Sequence, residues 1–174
     1  MKNRIKWTER SFDFNFPTGL YPEMIERLRG APPRLEEHCR ATSAELLTLR
    51  HDGRWSMQEN AGHLLDLEAL VQQRIEEYVS GARELHAADM SNRRTYEANY
   101  NETSSERILS DFRTQRLRTV ERLYALNDEM FGRVAVHPRL NVAMRLVDML
   151  FFQAEHDDYH LTRISELRRM LSTK

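Results

Sequence analysis

Three histidines have the residue type and the spacing of a metal site. His156 and His160 are four residues apart in a segment with helical periodicity, so their imidazoles project from one face. His63 lies in a second segment, flanked by Leu64 and Leu67. An imidazole from a second helix would complete a facial set of three and leave coordination positions open to water or substrate. The sequence therefore predicts a mononuclear metal site inside a helical bundle.

Two other kinds of metal site fit the spacing less well. A di-iron carboxylate site needs a glutamate three residues before each histidine, but the amides Gln153 and Asn60 stand at those positions. The segment that starts at His156 resembles a His-Glu-x-x-His protease helix, yet the residue after it is the shorter Asp157 and no downstream histidine follows. Asp157 is a candidate general base, although we favour a solvated neighbour of the ligands.

Several other polar residues near these segments have a simpler interpretation. Glu59 lies three residues after Ser56, which predicts a capping box at a helix start rather than a metal ligand. Cys39 lacks an electropositive setting and is expected to be a structural residue. The acids expected to orient the imidazoles are Asp66, Glu68, Asp157 and Asp158. The histidines expected on the surface are His38, His51, His86 and His137.

Composition and charge indicate one compact domain over residues 1–174. Apolar residues make up 40% and charged residues 30%, and the formal charge is -1, so nothing favours binding to nucleic acid or to an anionic membrane. The single cysteine excludes an intrachain disulfide and fits a cytoplasmic location. We expect neither a secretory signal nor a membrane span, because the apolar runs are short. The arginines alternate with acids and are expected on solvated helix faces: Arg93, Arg94, Arg113, Arg116, Arg118 and Arg122.

Apolar periodicity predicts an all-α protein with four main helices and an N-terminal arm. The arm, residues 1–18, is rich in aromatic side chains and is expected to lie extended over the core. A short helix is predicted at 21–29, and the main helices at about 32–50, 56–80, 103–127 and 141–171. Thr103 with Glu106 predicts a second capping box, and Asn141 is the predicted cap of the last helix. The polar stretch 81–102 predicts a crossover or a lid.

Two segments resemble the signature regions of the DinB/YfiT-like metalloenzyme superfamily, and the similarity extends over about residues 19–169. The matching residues are Trp55, Ser56, Glu59, His63, Leu64, Asp66 and Glu68, and then His156, Asp157, Asp158, Tyr159, His160, Leu161 and Ile164. The resemblance implies an up-down-down-up four-helix bundle with a long crossover between its second and third helices. It also implies a divalent ion, commonly nickel or zinc, held by His63, His156 and His160. Relatives often form homodimers.

The resemblance leaves the reaction open. Some relatives are thiol-dependent transferases or isomerases that use bacillithiol or mycothiol, and many have no assigned reaction. We therefore expect a metal-dependent enzyme with a small-molecule substrate, such as an S-transferase that uses a low-molecular-weight thiol as cosubstrate. Because Cys39 is outside the motif, the nucleophile would come from that cosubstrate or from water. The alternatives are a metal-dependent hydrolase and a non-catalytic, metal-binding stress-response bundle.

Overall fold

The computed structural model describes residues 4–171, which fold mainly into α-helices. The helices in this range are α1 (Tyr21–Arg29), α2 (Ala31–Arg40), α3 (Ala44–Thr48), α4 (Met57–Ser80), α5 (Arg93–Glu97), α6 (Ser105–Tyr124) and α7 (Leu146–Leu171). Two strands, β1 (Val134–His137) and β2 (Val142–Arg145), pair antiparallel in a hairpin. None of these helices is both long enough and apolar enough to cross a lipid bilayer.

The predicted bounds of α1 are confirmed, but the helix predicted at 32–50 is two helices. The Thr42 hydroxyl donates to the carbonyl oxygen of His38 at 2.8 Å, and Ser43 is extended. Hydroxyl side chains that bond nearby backbone groups compete with the helical hydrogen-bond ladder. The helix therefore stops at Arg40, and α3 restarts after Ser43.

The capping box predicted at the start of α4 is confirmed. The Glu59 amide donates to Ser56 Oγ at 3.0 Å, and the Ser56 amide donates to a Glu59 carboxylate oxygen at 2.9 Å. Gly81 then ends α4 with a φ of 76°, a left-handed conformation that suits glycine. The prediction of a second capping box at Thr103 is wrong, because the residue that precedes α6 is Ser104. The carbonyl oxygen of Thr103 instead accepts a hydrogen bond from the Gln58 side chain.

Asn141 does not cap the last helix. It has a φ of 51° and lies in the connection between β1 and β2, where an asparagine tolerates the left-handed conformation. The helix begins five residues later at Leu146, and the Asp148 carboxylate accepts from the Arg145 amide at 2.7 Å. The hairpin therefore occupies residues that the sequence predicts to form a loop and the start of the last helix.

Hydrogen bonds between the helices show how α4 runs relative to its neighbours. Gln58 at the start of α4 bonds Thr103, which lies just before α6. Glu76 near the end of α4 bonds Arg122 near the end of α6. The α4 and α6 axes therefore point the same way. Against α7 the order reverses, because Asn60 bonds His160 whereas Tyr78 bonds the Met144 carbonyl just before α7.

Two hydrophobic clusters form the core, and buried polar side chains lie between them along the long helices. On α4, Glu68 falls between Leu64 of one cluster and Val71 of the other, and Arg116 and Asp157 hold comparable positions on α6 and α7. The described part of the N-terminal arm packs against α7 on one cluster, and a 3-10 helix at Trp7–Glu9 interrupts the extended course that the sequence predicts. Its aromatic side chains that pack there are Trp7, Phe12, Phe14 and Phe16.

Candidate metal centre

The structure brings the three predicted ligands together. His63 projects from α4, and His156 and His160 project from successive turns of α7. One ring nitrogen from each histidine lies within 4.8 Å of the others. All three side chains are buried, with 6 to 7% of each residue exposed. Two helices packed in opposite directions therefore place three imidazoles around one point.

Hydrogen bonds fix the tautomers of two of these rings. Thr95 Oγ1 donates to Asp66 Oδ2 at 2.8 Å, so the same oxygen accepts from His63 Nδ1 at 3.1 Å. The amide oxygen of Asn60 can only accept, so His160 Nδ1 donates to it at 2.8 Å. In both rings the proton is on Nδ1, which leaves the Nε2 lone pair for an ion.

The third ring has a buried nitrogen that the protein does not satisfy. His156 Nδ1 has no hydrogen-bond partner among residues 4–171. Buried polar atoms are normally paired, and an unpaired one calls for a ligand or an ion. Together with the two oriented Nε2 atoms, this nitrogen fits a divalent ion that accepts imidazole ligands, such as zinc or nickel.

The rings are in the protonation state that binds metals. Burial lowers the pKa of His63 and of His156 to about 3, and it places the pKa of His160 well below its usual range. Imidazole must be neutral to coordinate an ion. At neutral pH the folded protein therefore presents three uncharged nitrogen donors, and protons do not compete for them.

The histidines face a cavity of about 1310 Å³ with aromatic walls. The Trp7 ring of the N-terminal arm meets the His156 ring edge-on with a centroid distance of 4.9 Å. Trp55 lies near the other two rings, with its ring centroid 4.8 Å from that of His63 and 6.2 Å from that of His160. Phe152 and Tyr159 line the same space. These walls limit the access of water to the three rings while leaving room for a small molecule.

The connection between α4 and α6 supplies part of this centre. Tyr100 Oη donates to Asp66 Oδ1 at 2.6 Å, so the same carboxylate that orients Thr95 also holds the connection in place. Tyr100 can approach because residue 62 is glycine: a Cβ atom there would collide with the Tyr100 ring. Tyr100 is itself buried against α4.

The other acids near the histidines do not orient the imidazoles directly. Glu68 and Asp157 both pair with Arg116, and Asp158 pairs with Arg27 and Arg34 on α1 and α2. The expectation that Asp157 is solvated is wrong, since it is completely buried and does not line the cavity. An ion pair with a buried guanidinium leaves it poorly placed to act as a general base.

Burial also corrects the surface assignment of two residues. His137 is 2% exposed, because the hairpin turns it inward against the Phe152 ring at 5.0 Å. Arg116 is fully buried instead of lying on a solvated face. His86 is exposed as expected. Cys39 is buried, which raises the pKa of its thiol to about 12 and fits its predicted structural role.

Sequence reasoning missed Thr95 and Asn60 as partners of the ligands. In the sequence, Asn60 stands out only because it does not match a di-iron pattern, although its position one turn before His63 places it on the same face of α4. Thr95 lies 32 residues from His63 in a polar stretch with no local signal. Only the folded connection brings its hydroxyl to the ring.

Removing the Thr95 hydroxyl should weaken metal binding without removing a ligand. In Thr95→Val the His63 ring loses its only described hydrogen bond, and we expect the affinity for zinc to fall about 10- to 100-fold, as for other partners of ligating histidines. Competition with a chromophoric chelator would measure this. Thr114→Val, at an exposed position on α6, is the matched control and should bind zinc as the unmodified protein does. Equal affinity in the two variants would contradict this role.

Comparisons with known proteins agree with this architecture. The model of the DinB superfamily matches residues 27–164. The structure of YfiT from Bacillus subtilis, described as a probable metal-dependent hydrolase with an unusual four-helix bundle topology, superposes with a TM-score of 0.82. It is 18% identical, and the alignment covers 94% of each chain. At this identity the likeness establishes the four-helix fold alone. A search of curated proteins gave no match.

Proposed function

This chain belongs to the DinB superfamily, as its signature segments predict, and from that premise we propose that it is a divalent-metal-dependent enzyme acting on a small molecule. The observation that carries the proposal is the meeting of three neutral, buried imidazoles at one side of a wide cavity. His63, His156 and His160 would hold the ion. Zinc and nickel are the candidates, since both accept imidazole ligands.

The chain's own residues prepare the site before any substrate arrives. When bound, a divalent ion supplies Lewis acidity toward the reacting group and its nucleophile. Thr95 and Asn60 hold two rings in the ligating tautomer, so the site is preorganised. Trp7 and Trp55 shield the rings from bulk water, which strengthens electrostatic interactions inside the cavity.

Hydrolysis is the reaction that we place first. The described lining of the cavity contains no serine or cysteine, and its one threonine, Thr8, is exposed on the N-terminal arm, so no buried alcohol or thiol of the kind that forms acyl-enzymes lines the cavity. Cys39 is buried elsewhere in the core. Water would then be the nucleophile. The description of YfiT as a probable metal-dependent hydrolase supports the same class.

A thiol-dependent S-transferase is the second candidate, and the size of the cavity favours it. Pockets for one small ligand usually measure about 300–1,000 Å³. The 1310 Å³ here would admit an electrophile together with a low-molecular-weight thiol such as bacillithiol or mycothiol. A non-catalytic ion that only stabilised the bundle would need no cavity of this size, so that alternative is the least supported.

A paired assay separates these reactions. Protein loaded with zinc or with nickel, and protein stripped by a chelator, would be incubated with a panel of esters, amides and phosphoesters, and in parallel with each thiol and an aryl halide. Mass spectrometry would identify the products. We expect turnover in the hydrolytic arm that chelation reduces at least about 100-fold, as removing a metal that supplies several kcal/mol implies.

The control for this assay is Thr114→Val, which should turn over at the unmodified rate because residue 114 is exposed on α6 and does not line the cavity. Conjugation of a thiol without hydrolysis would favour the transferase. Turnover that persists at full rate after complete removal of the metal would contradict both reactions.

We also infer that the helices follow the up-down-down-up order, which explains how the site is completed. Glu26 bonds Tyr124 and Glu36 bonds Arg113, so the α1–α2 pair runs opposite to α6. Since α4 runs parallel to α6, the chain between them must travel back along the bundle. That return path is what brings Thr95 to the histidine on α4.

A further inference from the structure

Besides the exposed Arg54, two arginines line the histidine cavity with no carboxylate within ion-pair distance in the described part of the chain. Arg139 Nη2 is buried and has no hydrogen-bond partner there. Its guanidinium carbon lies 5.5 Å from the centroid of the Phe152 ring and 5.9 Å from that of Trp7. Arg74 is 5% exposed and donates only to the carbonyl oxygen of His86, at 2.8 and 3.0 Å. Burial lowers the pKa of both guanidinium groups, yet both stay charged at neutral pH.

His137 lies with these arginines and adds a second donor without an acceptor; we call the three residues the donor cluster (Arg74, His137 and Arg139). The amide of Leu140 donates to His137 Nδ1 at 3.3 Å, so the ring proton is on Nε2. That Nε2 is buried and also lacks a hydrogen-bond partner among residues 4–171. Burial, followed by the charges of Arg74 and Arg139, lowers the pKa of His137 to about 4. The ring is therefore a neutral N–H donor at pH 7.

The acids that line the cavity are engaged elsewhere. Glu9 pairs with Lys6, and Glu166 lies near Arg4 and Arg163. Asp89 accepts hydrogen bonds from Ser91 and from the Arg93 amide, and Asp52 lies 3.0 Å from His51. None of these carboxylates is within ion-pair distance of the donor cluster in the described structure.

A charged guanidinium with a buried N–H that has no acceptor, as at Arg139, predicts an anionic ligand. A guanidinium removed from water is costly to bury without a partner, and it pairs best with an oxyanion that can take two parallel N–H bonds. The cluster lies next to the histidines: the Arg139 charge contributes, after burial and Arg116, to the lowered pKa of His156. An anion held here would bring the rest of its molecule to the three rings.

We propose that the donor cluster binds an oxyanion group of the substrate, a carboxylate or a phosphate, with Arg139 as the principal contact. This inference rests on the proposed function, because it names the chemical class of the molecule that enters the same cavity. Arg139 and His137 would donate to the oxyanion oxygens through Nη2 and Nε2. The described hydrogen bonds of Arg74 go to the His86 carbonyl oxygen, so Arg74 would contribute its positive charge and not a direct contact with the oxyanion.

Calorimetric titration of metal-free protein tests this inference independently of the ion. Succinate and inorganic phosphate would be titrated separately at pH 7 and constant ionic strength, with succinamide as the uncharged comparison. We expect saturable binding of one anion, no binding of succinamide, and an affinity at least about tenfold weaker in Arg139→Gln, the loss typical of a charge-assisted hydrogen bond. The anion that binds the more tightly identifies the oxyanion.

Two further variants keep the test decisive. Arg107→Gln removes an exposed arginine of α6 that pairs with Asp111, and it should leave the affinity unchanged. Arg139→Lys keeps the charge but loses the planar fork, and it should bind more weakly than the unmodified protein. If Arg139→Gln does not fold, Arg139→Lys decides in its place. Failure of the unmodified protein to bind either anion, or equal binding by the Arg139 variants, would overturn the inference without touching the metal proposal.

Discussion

Replacing any one of His63, His156 and His160 with alanine is expected to reduce the bound divalent metal from about one ion per chain to nearly none. Each variant leaves two imidazoles, which is fewer protein ligands than zinc usually has in a catalytic site. Removing a partner that only orients a ligand already costs about 10- to 100-fold in affinity, so removing a ligand should cost more than about 100-fold. The three alanine variants should behave alike because each nitrogen belongs to the same cluster.

Elemental analysis of untagged protein would measure this loss, since a polyhistidine tag would itself bind zinc or nickel. His86→Ala is the matched control: its side chain is exposed, and its described hydrogen bonds use only the backbone, with the amide donating to Glu77 and the carbonyl accepting from Arg74. It should retain the full metal content. If the three variants and the control carried equal amounts of metal, the assignment of the ligands would be wrong.

The part of the site that could be predicted depends on local sequence. The spacing of His156 and His160 fixes their common face on α7 whatever the rest of the chain does. The capping box of Ser56 and Glu59 sets where α4 begins, and the position of His63 along that helix follows from it. These signals act within one or two helical turns, so a single sequence contains them in full.

The parts that were missed depend on contacts between distant segments. Thr95 reaches His63 only because the connection folds back along α4. His137 is buried because the residues around Asn141 form a hairpin, in a stretch whose polar composition indicated a loop. A charged residue on a helix is usually solvated, so nothing local distinguished Arg116 from its exposed neighbour Arg118. Thr95 and Arg116 bond side chains at least 29 residues away, and the ring of His137 packs against that of Phe152, 15 residues later.

Arg116 is the clearest example of a residue whose role depends on distant partners, because its side chain bonds residues of three other helices. Its guanidinium pairs with Glu68 on α4 at 2.6 Å and with Asp157 on α7 at 2.5 Å, and it donates to the carbonyl oxygen of Leu28 on α1 at 3.0 Å. Burial alone would lower the pKa of Arg116, but the two carboxylates outweigh it and raise that pKa. Asp157 is the neighbour of His156 on α7, so this ion cluster also fixes the helix that carries two of the proposed ligands.

Replacing Arg116 with methionine should therefore destabilise the protein strongly. The change leaves Glu68 and Asp157 buried without their counter-ion, and breaking a buried pair in this way costs about 3–5 kcal/mol in the free energy of unfolding. Arg122→Met is the matched control on the same helix, since Arg122 pairs with Glu76 at the surface and should contribute no more than about 1 kcal/mol. Urea unfolding of the metal-free proteins would compare the two variants.

A triple variant tests whether unpaired charge is the cause of that loss. Combining Arg116→Met with Glu68→Gln and Asp157→Asn removes all three charges while keeping side chains that can still bond Thr119 and Gln153. If the cost arises from two stranded carboxylates, the triple variant should be more stable than Arg116→Met alone, because neutral groups tolerate burial better than unpaired ions. A triple variant less stable than the single one would instead assign the loss to packing around the guanidinium. Equal stabilities of Arg116→Met and Arg122→Met would show that the buried cluster contributes no more than a surface pair.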